Sequence, residues 1–333
     1  KAINVRMSGN QTDNNKCLDF GYDRRVFTLL YLLMFPIALL LNGVAAWVSV
    51  HLKSNTTFVV YLKNLIVADL ILTLTNPIVA VSKMPGVSTR LYVLSCRFFS
   101  VIFYSTQYAC ISFLGLISLD RFAKIITPRS KFGQSLMLSR LISVSVWLTL
   151  FVFTALPNII LSNKSPPNLT KIQTCMQTKG PAGLYIHKKI VICLNVFFWL
   201  VSVVIAVCYI CITNKVIQSF RNSGSNNKDG NQKIKLRVFL VVIVFFALFG
   251  PYHIVRIPYT FQQVNESPMT YCSYLRSKFA KEFTLWFATT NICMDPLLYV
   301  FLCREFKDQL VSLMKHVSIF LNHEQETQWG RRR

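Results

Sequence analysis

Apolar positions along the chain gather into seven long runs, near residues 26–50, 58–81, 95–126, 137–161, 186–217, 235–259 and 275–302. A helix needs about 20 such residues to cross the hydrocarbon of a bilayer, and each run is that long. None shows the two-residue alternation of a membrane strand. Pro36, Pro77, Pro157, Pro251 and Pro296 fall inside or near the ends of the runs. Membrane helices tolerate such prolines where neighbours satisfy the freed carbonyl, and they bend there. Beyond the last run, Arg304-Glu305-Phe306-Lys307 through Leu313 reads as an amphipathic helix lying on the membrane. The predicted fold is an all-α membrane protein, a seven-helix bundle with a short eighth helix. Its parts are a tail over 1–25, the bundle over 26–303, the surface helix over 304–316 and a second tail over 317–333. A disordered tail is expected over 324–333.

Composition supports the membrane reading. Of 333 residues 53% are hydrophobic and only 15% charged, against about 25% charged in a soluble domain. The net charge of +23 lies mostly in short loops between bilayer-length runs, which argues against nucleic acid as the partner. From Lys1 to Arg25 no apolar stretch has the length of a signal peptide. The loops after runs one, three and five are rich in Lys and Arg, including Lys53, Lys124, Lys215 and Arg221. Basic loops stay in the cytoplasm, which places the N-terminus outside and the C-terminus inside, in a multi-pass plasma-membrane topology. Asn10 and Asn168 head sequons that this topology places outside and are the expected glycosylation sites.

The same topology sorts the cysteines. Cys17, Cys96, Cys175 and Cys272 lie outside, where disulfides persist. Four cysteines allow three pairings; the favoured set is Cys96–Cys175 with Cys17–Cys272. No metal-ligand spacing and no nucleophile–base pair occurs, so neither an enzyme nor a resident cofactor is expected. The absence of an internal repeat argues against a two-halved transporter. A channel would need charges at several mid-bilayer depths, and only Asp69 and Asp295 lie deep.

The outer face is basic. The N-terminal tail, outer loops and outer helix ends hold seventeen Lys and Arg against Asp13, Asp19, Asp23, Glu266 and Glu282. Loop charges such as Lys171 suit plain solvation. Arg256 does not, because it lies inside an apolar run, where a charge needs a partner or a wet cavity. Tyr252, Arg256 and Tyr259 share one helical face at i, i+4 and i+7. Lys278 and Lys281 stand at i and i+3, Tyr104 and Tyr108 at i and i+4. Guanidinium and ammonium groups suit phosphate, and aromatic faces suit a base. A plainer role for Lys281 is a pair with Glu282.

Ordered landmarks run through the chain: Asn42-Gly43, Leu65 to Asp69, Cys96, Asp120-Arg121-Phe122, Trp147, Tyr209, Phe249 with Pro251, and Asp295-Pro296-Leu297-Leu298-Tyr299. Together they resemble the rhodopsin-like G-protein-coupled receptors. Phe122, Phe249 and Asp295 depart from the commoner Tyr, Trp and Asn. Those departures, with Tyr61-Leu62-Lys63-Asn64, Leu156-Pro157-Asn158 and Arg256-Ile257-Pro258-Tyr259-Thr260, resemble the purinergic nucleotide receptors, in the branch that senses ADP and UDP-sugars.

The resemblance covers roughly residues 17 to 310. It implies a receptor for an extracellular anionic ligand, a purine or pyrimidine nucleotide, acting through a heterotrimeric G protein of the inhibitory class, with arrestin a further partner. The alternative within the same fold is a receptor for an anionic lipid or another non-nucleotide anion. Arg256, Lys281 and Tyr104 correspond to nucleotide-contacting positions, with His187, Tyr259 and His253 as further candidates. A plain hydrogen-bonding role suits His187 and His253 nearly as well. Val191 replaces a base-contacting Asn, and Gln107 stands beside Tyr108 where Met is usual.

The implied switch has the ligand bridging Arg256 and Lys281, movement about Pro251, and release of Arg121 from Asp120, with Tyr209 and Tyr299 as supporting hydroxyls. The plainer reading of Asp120-Arg121 is a charge pair snorkelling at a membrane edge. Asp69, Asn291 and Asp295 resemble a sodium and water cluster, in which Cys110 stands where Ser is common.

Overall fold

The computed structural model describes residues 24–84, 86–128, 135–164, 175–222, 228–264 and 271–330. The sequons at Asn10 and Asn168 lie outside them. Among the described residues the chain is helical, with no strand. α1 is Arg24–Val50 and α2 is Thr57–Ser82. α3 spans 89–126 as Thr89–Leu94, a π-turn Ser95–Phe99, and Ser100–Ile126. α4 spans Leu136–Leu161, with a π-turn at Phe151–Ala155. A 3₁₀ turn, Cys175–Thr178, precedes α5 (Pro181–Asn222) and α6 (Lys228–Val264). α7 is Tyr271–Thr289 followed by Asn291–Leu302, and α8 is Arg304–Gly330.

Local chemistry sets several boundaries. The side chains of Thr56, Ser88 and Ser135 each accept a backbone N–H at the start of α2, α3 and α4. Pro181 opens α5, where its missing N–H is not needed. α7 breaks at Thr290, whose hydroxyl and N–H both turn back on the carbonyl of Phe287. α5 and α6 outrun the apolar stretches at both ends, because backbone hydrogen bonding does not stop at the bilayer edge. α8 likewise runs past residue 316, and the disordered tail expected over 324–333 is helical as far as Gly330. Before Gly330 that stretch holds no proline or glycine to stop a helix.

Among the described residues five helices are each long and apolar enough to cross a membrane, namely α1, α2, α4, α5 and α6. α4 shows the lipid-facing pattern most clearly: Met137, Leu141, Val144 and Leu148 recur at i, i+4, i+7 and i+11 and are all exposed. Apolar residues on the outside are what a bilayer requires. α3 lies at the centre, with Phe103, Ala109, Cys110, Ile111 and Phe113 fully buried. It crosses α5 so closely that a Cβ on Gly115 would lie 2.8 Å from Val201 Cγ1.

Two ties hold the ends. Cys96 and Cys175 form a disulfide that fastens the 3₁₀ turn to the start of α3. Cys272 is also disulfide-bonded; its expected partner Cys17 lies outside the described residues. At the opposite end Glu305 accepts the N–H groups of Lys53 (2.7 Å) and Ser54 (2.9 Å) and the Ser54 hydroxyl. The Ser54 bonds hold its carboxyl below the ordinary carboxylate range. They also fix the start of α8 against the α1–α2 turn.

Candidate ligand-binding site

At the disulfide end the bundle opens into a cavity of about 160 Å³, with linings from α1 through α7 and the 3₁₀ turn. Tyr104, Tyr108, His187, Arg256, Tyr259, Lys278 and Lys281 line it. Tyr252 and His253 do not: both lie behind the wall, each 1% exposed.

Tyr104 is the hub. The Arg256 guanidinium lies 4.9 Å from its ring centroid and Lys281 Nζ 5.7 Å from it. Lys281 also donates to the Tyr104 hydroxyl at 3.1 Å. The ring's negative face partly offsets the repulsion between the two cations. Arg256 lies 5.6 Å from the Tyr252 ring as well. Tyr259 lies 6.0 Å from Lys281 Nζ, and its hydroxyl accepts from Gln263. Lys278 stands over Tyr274 at 5.8 Å.

The charge balance decides what the cavity can hold. Among the described residues Lys83, Lys179, Arg256, Lys278 and Lys281 line it against a single carboxylate, Glu282. Glu282 is shared by Lys281 at 2.9 Å and Lys83 at 3.2 Å. The plain pairing of Lys281 with Glu282 therefore holds, and Lys281 faces the cavity as well. Among the described residues no carboxylate lies within ion-pair distance of Arg256, which is 8% exposed. A buried cation without a counter-ion is costly, and an anion entering the cavity relieves that cost.

Sequence reasoning missed Lys179 and the bridging role of Glu282. Lys179 looks like any loop charge; the Cys96–Cys175 bond four residues earlier brings it over the cavity. Its Nζ donates to Asn158 Oδ1 (2.9 Å) and Ser162 Oγ (2.9 Å), both neutral acceptors. Burial pushes its pKa down to about 8. His187 contacts the same Asn158 oxygen at 3.2 Å.

His253 takes the plainer role. Its Nδ1 is 2.8 Å from the Phe249 carbonyl, which can only accept, so that nitrogen carries the proton. In the neutral ring Nε2 then accepts from the Tyr108 hydroxyl at 3.2 Å. His253 stacks on Phe198 at 3.6 Å, Phe198 on Phe245, and Phe245 meets Phe249 at 5.2 Å. An aromatic column thus runs from the cavity floor to the middle of the bundle. Gln107 is buried outside the cavity lining, while Val191 lines the cavity.

At the opposite end Asp120 accepts from the Thr57 hydroxyl and from Lys124 Nζ at 2.8 Å, while the Arg121 guanidinium lies over the Phe58 ring at 4.1 Å. Lys124 stands one turn along the same helix, at the spacing that lets it reach the carboxylate. The Tyr299 hydroxyl is committed to Asp69 rather than turned toward Arg121. Tyr209 is buried beside Ser118.

In mid-bundle Asp69 also accepts the Cys110 thiol, and Asn291 donates to Asp295 at 2.6 Å. Asp295 Oδ1 and Asn42 Oδ1 are buried acceptors without a partner among the described residues.

The family described as "7 transmembrane receptor (rhodopsin family)" matches residues 41–299. The chain is 44% identical to human purinoceptor 13 over 313 residues, covering 93% of this chain and 87% of the relative. It is 36% identical to bovine purinoceptor 14 over 306 residues, 91% and 89% of the two chains. With mouse G-protein coupled receptor 87 it shares 37% over 303 residues, 89% and 82%. The chain is a multi-pass membrane receptor and not an enzyme: it belongs to the rhodopsin family of seven-transmembrane, G-protein-coupled receptors, in the branch of the purinoceptors.

Proposed function

We propose that the cavity binds an extracellular nucleotide, ADP-like or UDP-sugar-like, through its phosphates. The observation that carries this is Arg256, buried against Tyr104 with no carboxylate near it among the described residues. Phosphate oxygens match its planar donors, and Lys281 and Lys278 supply further charge. The likeness to purinoceptors adds purines as the ligand class. In this reading the disulfide end faces outward, with the tail over 1–25 outside and the segment from 304 onward inside, where an inhibitory-class G protein and arrestin dock. Asn10 and Asn168 carry glycans, and Cys17 pairs with Cys272. Competition binding on membranes with ADP, UDP-sugars and lysophospholipids tests the ligand class. Displacement by lysophospholipid alone would replace the nucleotide with an anionic lipid.

Lys179 gives this site a pH signature. Its lowered pKa means that the unfolded chain holds the proton more tightly between pH 8 and the ordinary lysine value. The folded state therefore loses stability as pH falls from the ordinary lysine value to about 8, because its buried ammonium forms late, and below about 8, where both states hold the proton, no further loss follows. Anion binding runs the other way, because Lys179 discharges as pH rises. Nucleotide affinity is expected to fall several-fold from pH 7 to 9, and Lys179→Met to flatten that profile. An identical profile in the variant removes Lys179 from the site.

Asp69, Asn291 and Asp295 are the place for a sodium ion, since the orphan oxygens of Asp295 and Asn42 are hard donors. A sodium-dependent loss of agonist affinity that disappears in Asp295→Asn is the expected result. Equal sodium dependence in both chains counts against it.

A further inference from the structure

Far from the cavity, the Trp147 indole donates to Asn64 Oδ1 at 3.0 Å and ties α4 to α2. Two cations flank that tie on the membrane-facing side. Lys63 precedes Asn64 and is exposed, as is Val67 one turn farther along the same face of α2. Arg140, Ser143 and Trp147 stand at i, i+3 and i+7 and share one face of α4. Ser143 is buried on that face, while Arg140 is exposed. From the starts of their helices, Thr57 and Leu136, the two cations lie six and four residues inward, about 9 and 6 Å along the axes. Leu141 and Val144, exposed beside Arg140, mark this surface as one that faces lipid. Among the described residues neither cation is within ion-pair distance of a carboxylate. A cation at that depth needs a counter-charge, and the one a bilayer supplies there is a lipid phosphate.

We propose that Lys63 and Arg140 together hold one phosphomonoester headgroup, that of phosphatidic acid, in the groove between α2 and α4. Depth selects the headgroup. Serine or inositol phosphates carry their further charge beyond the glycerol phosphate, outward of the helix starts, whereas both cations lie inward of them. A phosphomonoester bears up to two charges on the phosphate itself, with three acceptor oxygens. Those oxygens take the planar Arg140 fork and the Lys63 ammonium at once. The acyl chains then lie along Val67 and Val144. In the orientation proposed above this is the cytoplasmic leaflet, and the lipid fastens α2 to α4 outside the Trp147–Asn64 bond. The inference is independent of the nucleotide reading. Plain snorkelling of each cation to any nearby headgroup makes the opposite forecast, with no choice among anionic lipids.

The test titrates the full chain in neutral detergent with phosphatidic acid, phosphatidylserine or phosphatidylinositol bisphosphate and follows its melting temperature. Phosphatidic acid is expected to raise it by several degrees and at the lowest concentration. Lys63→Gln and Arg140→Gln should each raise the concentration needed about tenfold, the worth of one charge-assisted hydrogen bond. The double substitution should remove the response, and the melting temperature before lipid should stay the same, because both side chains are exposed. Lys63→Arg, which keeps the charge, should keep the response. An equal response to the three lipids, or a stronger one to the bisphosphate, overturns the proposal. A normal phosphatidic acid response in the double variant does so too. Where a variant melts lower before lipid is added, native mass spectrometry of receptor extracted from membranes decides: phosphatidic acid should stay bound to the unaltered chain and be lost from the variant, and equal retention by both overturns the assignment.

Discussion

Arg256→Ala is expected to weaken nucleotide potency by at least tenfold while the receptor still reaches the cell surface. Truncating one partner of a buried charge pair costs about 2–5 kcal/mol, and each 1.4 kcal/mol is about tenfold in affinity. The loss falls at the upper part of that range because the groups around the guanidinium are the rings of Tyr104 and Tyr252, and neither can take over its charge. Lys281→Gln should cost less, since Glu282 already balances part of the Lys281 charge before any ligand arrives. Arg256→Lys should fall between, keeping the charge but losing the planar stack on Tyr104. Dose–response curves at matched surface expression give the order. Normal curves for both Arg256→Ala and Lys281→Gln refute the anionic pocket.

Arg121→Lys should leave ligand binding intact and abolish most G-protein activation. Tyr104 and Arg121 are seventeen residues apart on α3, which at the helical rise is about 25 Å, too far for a direct effect on the cavity. Lysine snorkels as well as arginine, so a mere membrane anchor would tolerate the exchange. The guanidinium on the Phe58 ring and its fork of donors are what lysine cannot reproduce. Asp120→Asn should raise basal activity by releasing Lys124 and weakening the bond from Thr57 that joins α2 to α3. Nucleotide exchange and ligand binding measured on the same membranes separate the roles. Full signalling from Arg121→Lys, with unchanged basal activity in Asp120→Asn, returns the stretch to a membrane anchor.

The aromatic column offers a route between the two ends. Tyr108 touches the cavity and bonds His253, and the stack through Phe198 and Phe245 reaches Phe249, two residues from Pro251. A ligand that moves Tyr108 bears directly on the helix that proline bends. Coupling of this kind needs an element with two arrangements, and α6 is the candidate by virtue of its proline.

Legible from the chain alone were the bundle, the order and centres of its helices though not their ends, the Cys96–Cys175 bond and the grouping of Arg256, Lys281 and Tyr104. Bilayer thickness imposes run length, desolvation makes a buried Arg conspicuous, and helical periodicity puts i and i+4 on one face. Which partners those groups take became visible only in three dimensions. Asp120 holds Lys124 and Thr57, Tyr299 holds Asp69, and His253 stacks behind the wall. Lys179 enters the cavity only through a disulfide. Pairings of that kind depend on the rotation and depth of one helix against another. Packing fixes those quantities, and the hydrophobic pattern of a single chain does not contain them.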